Sequence, residues 1–161
     1  MARIIPAFTA IAIVGWASAM PAHAATIRRE TLVNAPAAFV WAAVKDVGEV
    51  DKRLARGFVV ETTLDGETRS VTFANGRVVQ EVILGVDDTA RRLAYSAVNG
   101  RAAHHAASLQ VLSEGSGSRL IWITDVLPDT LEMPIGSLME DGIAAMKRTL
   151  EKDARAAAGK R

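Results

Sequence analysis

Two charged side chains in otherwise apolar, alternating segments are the strongest candidates for chemistry in this sequence. Glu81 and Arg69 lie on either side of the turn signal Asn75-Gly76, which would place them opposite each other as an ion pair. Such a pair can be a structural salt bridge, or it can anchor a carbonyl, hydroxyl or carboxylate group of a ligand. The residues that alternate with the two charges, and so share their face of a sheet, are Val71, Phe73, Val79 and Ile83.

Two adjacent histidines form a second candidate group. If His104 and His105 lie in a strand, their side chains point to opposite faces, so at most one of them enters the interior. They cannot bind one metal ion together, and we expect neither a metal site nor a cofactor. An inward His105 beside a carboxylate could act as a general acid or base. A solvated histidine at a strand end is the alternative.

Asp125 is a third candidate, close to the start of the last predicted helix. If Ile121 and Ile123 face inward, Asp125 does too. It could then contact a ligand, or it could accept hydrogen bonds from the N-terminal amides of the helix. The opposite parity, with Trp122 inward, also fits the sequence.

Composition narrows the function classes. The sequence has no phosphate-binding glycine loop, no Gly-x-Ser-x-Gly motif and no acid pair at glycosidase-like spacing. It contains 19 Lys and Arg and 18 Asp and Glu residues, and only Arg3 precedes Ala25. This balance predicts no nucleic-acid partner, and we expect a monomer or weak dimer. Cysteine is absent, so the core must hold the fold without disulfides.

The N-terminus has the pattern of a secretory signal. Arg3 precedes an apolar run over residues 7–19, and Ala22-His23-Ala24 has the form of a cleavage site. The run is shorter than the ~20 residues of a membrane span, so we expect no integral membrane segment once residues 1–24 are removed. An uncleaved anchor is the alternative. We predict a periplasmic or secreted protein with one domain over residues 25–155 and a frayed tail over residues 156–161.

The elements that must position the candidate residues follow from regularly spaced turn signals. Asp65-Gly66 and Asn75-Gly76 favour two-residue hairpins, and further turn residues occur at Asp87-Asp88 and over residues 113–118. Short loops join antiparallel neighbours, so a meander is expected. The predicted strands cover residues 25–33, 57–64, 68–73, 77–86, 92–98, 104–112 and 119–127.

Helical spacing of apolar residues occurs in three places. Residues 36–46 and 49–54 predict a short helix and a helical turn between the first two strands. After Pro128 a long helix is expected, and its buried stripe contains Met139, Gly142 and Met146. Gly142 would leave space and the methionines could adapt to a guest, although ordinary core filling is the alternative. Because a twisted sheet cannot lie flush on one helix, we expect a cavity between them.

Several strings of residues, in this order and spacing, resemble the START/Bet v1-like superfamily, also called SRPBCC or polyketide cyclase/dehydrase-like. The resemblance covers residues 26–152 and is greatest to a bacterial subset. It implies an α+β helix-grip fold, in which a curved seven-stranded antiparallel sheet surrounds a long C-terminal helix, with two short helices between strands one and two. The strings are Asn34-Ala-Pro-Ala-Ala-Phe-Val-Trp41, residues 66–69, Gly76 with Val79-Gln80-Glu81, residues 86–95 and residues 119–128.

A more distant likeness to the plant abscisic acid receptors implies that Glu81, Tyr95 and Ser108 line the cavity. The function implied is binding of a small hydrophobic or amphipathic molecule, such as a lipid, isoprenoid or aromatic metabolite. One alternative is a polyketide cyclase/dehydratase-like enzyme in which Glu81 or His105 moves a proton, and another is a domain that acts through a partner. The expected ligand-binding residues are Arg69, Val71, Phe73, Val79, Glu81, Ile83, Tyr95, Ser108, Ile123, Asp125, Met139, Gly142 and Met146.

Overall fold

The computed structural model describes residues 23–160, and seven strands form one antiparallel sheet in the order β1-β7-β6-β5-β4-β3-β2. The predicted strand ends differ from the observed ones by two residues at most. The predicted signal segment lies outside the described residues except for His23 and Ala24, and it stays a prediction. The strands are β1 (Ala25–Val33), β2 (Val59–Asp65), β3 (Thr68–Phe73), β4 (Val78–Asp87), β5 (Arg92–Ala97), β6 (His104–Glu114) and β7 (Gly117–Leu127).

Tight turns set the register of the meander. Gly66 and Gly76 have φ angles of 58° and 80°, a left-handed conformation that glycine adopts without steric cost. The second of these turns places Arg69 directly opposite Glu81 in the β3–β4 pair. The first and last strands also pair along their whole length, so β1 lies beside β7.

The helices follow the predicted order. Helix α1 (Ala37–Val44) and a helical turn over Val50–Leu54 lie between β1 and β2, and a short 3₁₀ turn over Asp129–Leu131 leads into α2 (Glu132–Ala158). The predicted α+β helix-grip fold is therefore confirmed. Helix α2 continues to Ala158, so residues 156–158, expected in a frayed tail, are helical instead. Within residues 23–160, no helix is both long and apolar enough to cross a membrane.

The core lies between the concave face of the sheet and α2. Around Gly142 the packing is tight: a Cβ added to this glycine would lie 2.7 Å from Cζ3 of Trp122 and 3.0 Å from Cε1 of Phe58. Gly142 therefore leaves no free space, because its missing side chain lets two aromatic rings approach the helix backbone. Met146 and Leu150 continue this solid packing toward the C-terminal half of α2.

Candidate functional site

A cavity of about 380 Å³ lies between the sheet and the N-terminal part of α2. The β3–β4 turn and the β5–β6 loop form one side of it, and residues 131–141 form the other. Its end toward the solid half of the core is formed by Trp122 and Met139. The apolar lining residues are Phe73, Val79, Ala97, Ala102, Trp122, Leu131, Pro134, Ile135, Leu138 and Met139.

Small side chains explain why the cavity exists at this end of the sheet. Ala97 and Ala102 line it where bulkier residues would fill the space, and Ala107 faces the same interior from β6. Farther along α2, the rings of Trp122 and Phe58 fill the corresponding space against Gly142. The middle strands therefore stand apart from the N-terminal part of α2, although Ile27 and Arg29 of β1 contact it at Gly136.

A buried ion pair lies at the inner end of the cavity. Arg69 Nε donates to Glu81 Oε2 at 2.6 Å, and the two side chains are only 5% and 10% exposed. The predicted ion pair is therefore confirmed. Glu81 lines the cavity, whereas Arg69 lies behind it. Arg69 Nη1 is buried and has no hydrogen-bond partner among the described residues.

Tyr95 connects this ion pair to β7. The Arg69 guanidinium carbon lies 4.8 Å from the centre of the Tyr95 ring, which places a cation over the ring face. The Tyr95 hydroxyl accepts a hydrogen bond from Nε1 of Trp122 at 2.9 Å. Burial, aided by the negative charge of Glu81, raises the pKa of Tyr95, so the hydroxyl keeps its proton. No described residue accepts a hydrogen bond from that hydroxyl.

His105 faces the same cavity, and one of its ring nitrogens has a hydrogen-bond partner. Its Nδ1 accepts a hydrogen bond from the backbone N–H of Ala97 at 3.0 Å. Burial, together with the charge of His104, lowers the pKa of His105, so the ring is neutral and carries its proton on Nε2. The Tyr95 and His105 ring centres are 6.2 Å apart. His105 can therefore donate a hydrogen bond into the cavity but cannot accept one there.

The mouth of the cavity carries exposed charges. Arg77 lies beyond the β3–β4 turn and Arg101 in the β5–β6 loop, and Asp141 faces them from α2. Within residues 23–160, neither arginine forms an ion pair. The mouth thus has a net charge of +1, from two arginines and one aspartate, and the paired charges at the inner end sum to zero.

The structure brings together about half of the residues expected to line the site. Phe73, Val79, Glu81, Tyr95, His105 and Met139 line the cavity. Arg69 touches it only through Glu81, and the remaining core-facing candidates, Val71, Ile83 and Met146, pack elsewhere in the interior.

Four expectations about the site were wrong. Ser108, Ile123 and Asp125 lie on the opposite face of the sheet, because Trp122 and Thr124 are the β7 residues that face the cavity. Asp125 is exposed and accepts a hydrogen bond from the hydroxyl of Thr26 at 2.5 Å, so it does not bind the N-terminus of α2. Gly142 is the fourth, since the rings packed against it occupy the space expected there.

Sequence reasoning also missed several residues that line the cavity. Trp122 and Thr124 could have been predicted from the alternative orientation of β7, with Trp122 facing inward, which the sequence left open. Arg77 and Arg101 lie in loops and gave no periodic signal. In the part of the chain that the structure describes, no three histidine or carboxylate side chains come together in a way that could hold a metal ion.

Comparison with known proteins places this geometry in a family. A family model described as polyketide cyclase/dehydrase and lipid transport matches residues 24–158. No curated protein matches the sequence. Among solved structures, a Bacillus thuringiensis protein has a TM-score of 0.71 at 17% identity, over 78% of this chain and 98% of that one.

A synthase and a protein of a biosynthetic pathway share the fold. Norcoclaurine synthase from Thalictrum flavum, in complex with dopamine and hydroxybenzaldehyde, has a TM-score of 0.65 at 18% identity, over 93% of this chain and 95% of its own. The di-domain ARO/CYC protein BexL, from the BE-7585A biosynthetic pathway, has a TM-score of 0.69 at 17% identity, over 79% of this chain and 46% of its own. These identities show the fold alone. By the family match, the chain belongs to the polyketide cyclase/dehydrase and lipid transport family, with the helix-grip fold of the START/Bet v1-like superfamily.

Proposed function

We propose that this protein binds a small amphipathic molecule in the cavity between the sheet and the N-terminal part of α2. The observation that carries the proposal is the cavity itself, with apolar walls and a few polar groups, Glu81, Tyr95 and His105, at its inner end. Apolar walls give affinity, and a small number of fixed polar groups give orientation. A closed core of ordinary packing would not leave these polar groups facing an open volume.

The size of the cavity favours a compact ligand. Ligand sites in proteins span roughly 300–1,000 Å³, and about 380 Å³ lies near the lower end of that range. An aromatic metabolite or a short isoprenoid fits this volume better than a lipid with two acyl chains. The dopamine and hydroxybenzaldehyde bound to norcoclaurine synthase are compact aromatic molecules, and this supports a ligand of similar size here.

A polyketide cyclase- or dehydratase-like reaction is the second candidate. It is favoured by Glu81, which lines the cavity and uses only Oε2 in hydrogen bonds to the described residues. Glu81 would remove a proton from a substrate carbon, while Tyr95 and His105 would stabilise the resulting enolate oxygen. His105 would not be the base, because its Nδ1 is occupied by the Ala97 N–H.

We also propose that the protein works in the periplasm or outside the cell. The support is the signal pattern of residues 1–24 in the sequence. Fractionation of the native host, with the N-terminus of the recovered protein determined by mass spectrometry, tests this. A protein recovered from the cytoplasm with residues 1–24 intact would contradict it.

Binding in the cavity is tested by filling it from one wall. Ala97→Leu adds a branched side chain to the lining, and Ala94→Leu adds the same group on the opposite face of the same strand. We expect the wild type and Ala94→Leu to increase the fluorescence of anilinonaphthalene sulfonate and Ala97→Leu to lose most of this response. Equal responses from both variants would show that the dye, and the proposed site, are not in the cavity.

Native mass spectrometry of protein purified from its own compartment separates the two candidates. A co-purified small molecule released unchanged favours binding. Turnover of a supplied polyketide-like substrate that is abolished in a folded Glu81→Gln variant favours the enzyme.

A further inference from the structure

Two hydrogen-bond donors of the cavity have no acceptor in the described part of the protein. The Trp122 indole occupies a lone pair of the Tyr95 hydroxyl, so that hydroxyl still has its own proton to donate. The Ala97 amide fixes His105 as the Nε2–H tautomer, and this nitrogen has no partner among residues 23–160. Both groups line the same cavity.

The two donors belong to neighbouring rings of the cavity lining. Their ring centres are 6.2 Å apart, and Tyr95 and His105 lie on adjacent strands, with Tyr95 paired to Ala107. One ligand oxygen between rings at this spacing would accept from both donors where the hydroxyl and Nε2 point toward it.

We infer that the hydroxyl of Tyr95 and Nε2–H of His105 donate to a single oxygen of the ligand, and that the ligand is an uncharged carbonyl compound. This inference rests on the proposed function and names its ligand class. The ketone or aldehyde oxygen would lie at the inner end of the cavity, and the apolar part of the ligand would lie along the Phe73 and Leu138 walls.

The charges at the inner end select against ionised ligands. Arg69 and Glu81 neutralise each other, and Tyr95 and His105 are both neutral. A ligand carboxylate placed there would meet the Glu81 carboxylate, whereas the unpaired cations Arg77 and Arg101 lie at the mouth. A hydrocarbon would leave two buried donors without acceptors, which is unfavourable for each of them.

The test uses three probes of similar shape: acetophenone, isopropylbenzene and benzoate. Calorimetric or competition titrations give their affinities for the wild type and for Tyr95→Phe. We expect Tyr95→Phe to weaken acetophenone about five- to tenfold and to leave isopropylbenzene equal or tighter, since the variant removes one donor. General damage to the cavity would weaken both neutral probes alike, so the ratio of the acetophenone affinity to the isopropylbenzene affinity reports on the hydrogen bond alone. At high salt, which screens Arg77 and Arg101 at the mouth, benzoate should bind more weakly than acetophenone.

A second measurement needs no variant. The carbonyl stretching frequency of acetophenone bound to the wild-type protein should lie well below its value in an apolar solvent, because two donors polarise the C=O bond. In Tyr95→Phe that decrease should be about half as large.

Each result has a distinct meaning. An unchanged ratio in Tyr95→Phe, an unshifted carbonyl frequency, or benzoate binding tighter than acetophenone at high salt would overturn the inference while leaving cavity binding intact. Failure of both neutral probes to bind would instead overturn the proposed function itself.

Discussion

The Arg69–Glu81 pair gives the sharpest test of how this protein is held together. Arg69→Met removes the cation, keeps most of the side-chain volume and leaves the Glu81 carboxylate 10% exposed with no partner. At 2.6 Å and an effective dielectric constant of about 20, the pair attracts by about 6 kcal/mol. Burying both ions costs several kcal/mol each, so the intact pair contributes little net stability. Removing one partner is different, because the desolvation of the other is no longer offset.

We therefore expect Arg69→Met to lower the free energy of unfolding by about 3–5 kcal/mol, a large share of the roughly 5–15 kcal/mol typical of a domain. The double variant Arg69→Met/Glu81→Leu removes both charges and should return to within about 1 kcal/mol of the wild type. Urea unfolding followed by tryptophan fluorescence measures both values.

A surface cluster provides the matched control. Arg119 forms ion pairs with Glu30 and Glu114, and all three side chains are at least 30% exposed. Arg119→Met should therefore cost far less stability than Arg69→Met. A loss in Arg69→Met no larger than in Arg119→Met, or a double variant as unstable as the single one, would refute the reasoning.

Three further predictions concern packing, pH and the cavity mouth. Gly142→Ala gains about 1 kcal/mol of helix propensity but places a Cβ 2.7 Å from Trp122. Urea unfolding should therefore show a free energy of unfolding about 1 kcal/mol lower than that of the wild type, and a higher value would contradict the tight packing. Burial holds the pKa of His105 below 6.5, so the unfolded chain binds more protons than the folded one as the pH falls below about 6.5, and the free energy of unfolding should decrease there. His105→Gln should flatten this pH dependence, and equal slopes in the two proteins would show that His105 is not its source. The double variant Arg77→Gln/Arg101→Gln should bind the anion anilinonaphthalene sulfonate about two- to fivefold more weakly than the wild type at low salt. At high salt the charges are screened and the two proteins should bind it equally, so a difference that persists would contradict an electrostatic role.

The fold was predictable because its signals are local. Asp65-Gly66 and Asn75-Gly76 encode turns in their own residue types, and the turn signals fixed which strands are neighbours. The β3–β4 register then followed, and with it the Arg69–Glu81 pair. The change of hydrophobic period after Pro128 located α2, although not its last residues.

The site was less predictable because strand parity depends on the whole sheet. In β7, Ile121, Trp122 and Val126 are all buried, so apolar residues occur on both faces and the sequence does not show which face is concave. The wrong parity moved Ile123 and Asp125 into the expected site. The tautomer of His105 is less accessible still, since it depends on a backbone amide eight residues away.

Trp122 shows why the stability of this protein and its proposed ligand site are coupled. One edge of its ring packs against Gly142, where the helix lies close to the sheet, and its Nε1–H donates a hydrogen bond to the hydroxyl of Tyr95. If Gly142 carried a side chain, the ring would have to move, and the hydrogen bond that orients Tyr95 would move with it. The tight half of the core therefore fixes the position of a polar group in the open half, and a donor held in this way requires little reordering when a ligand binds.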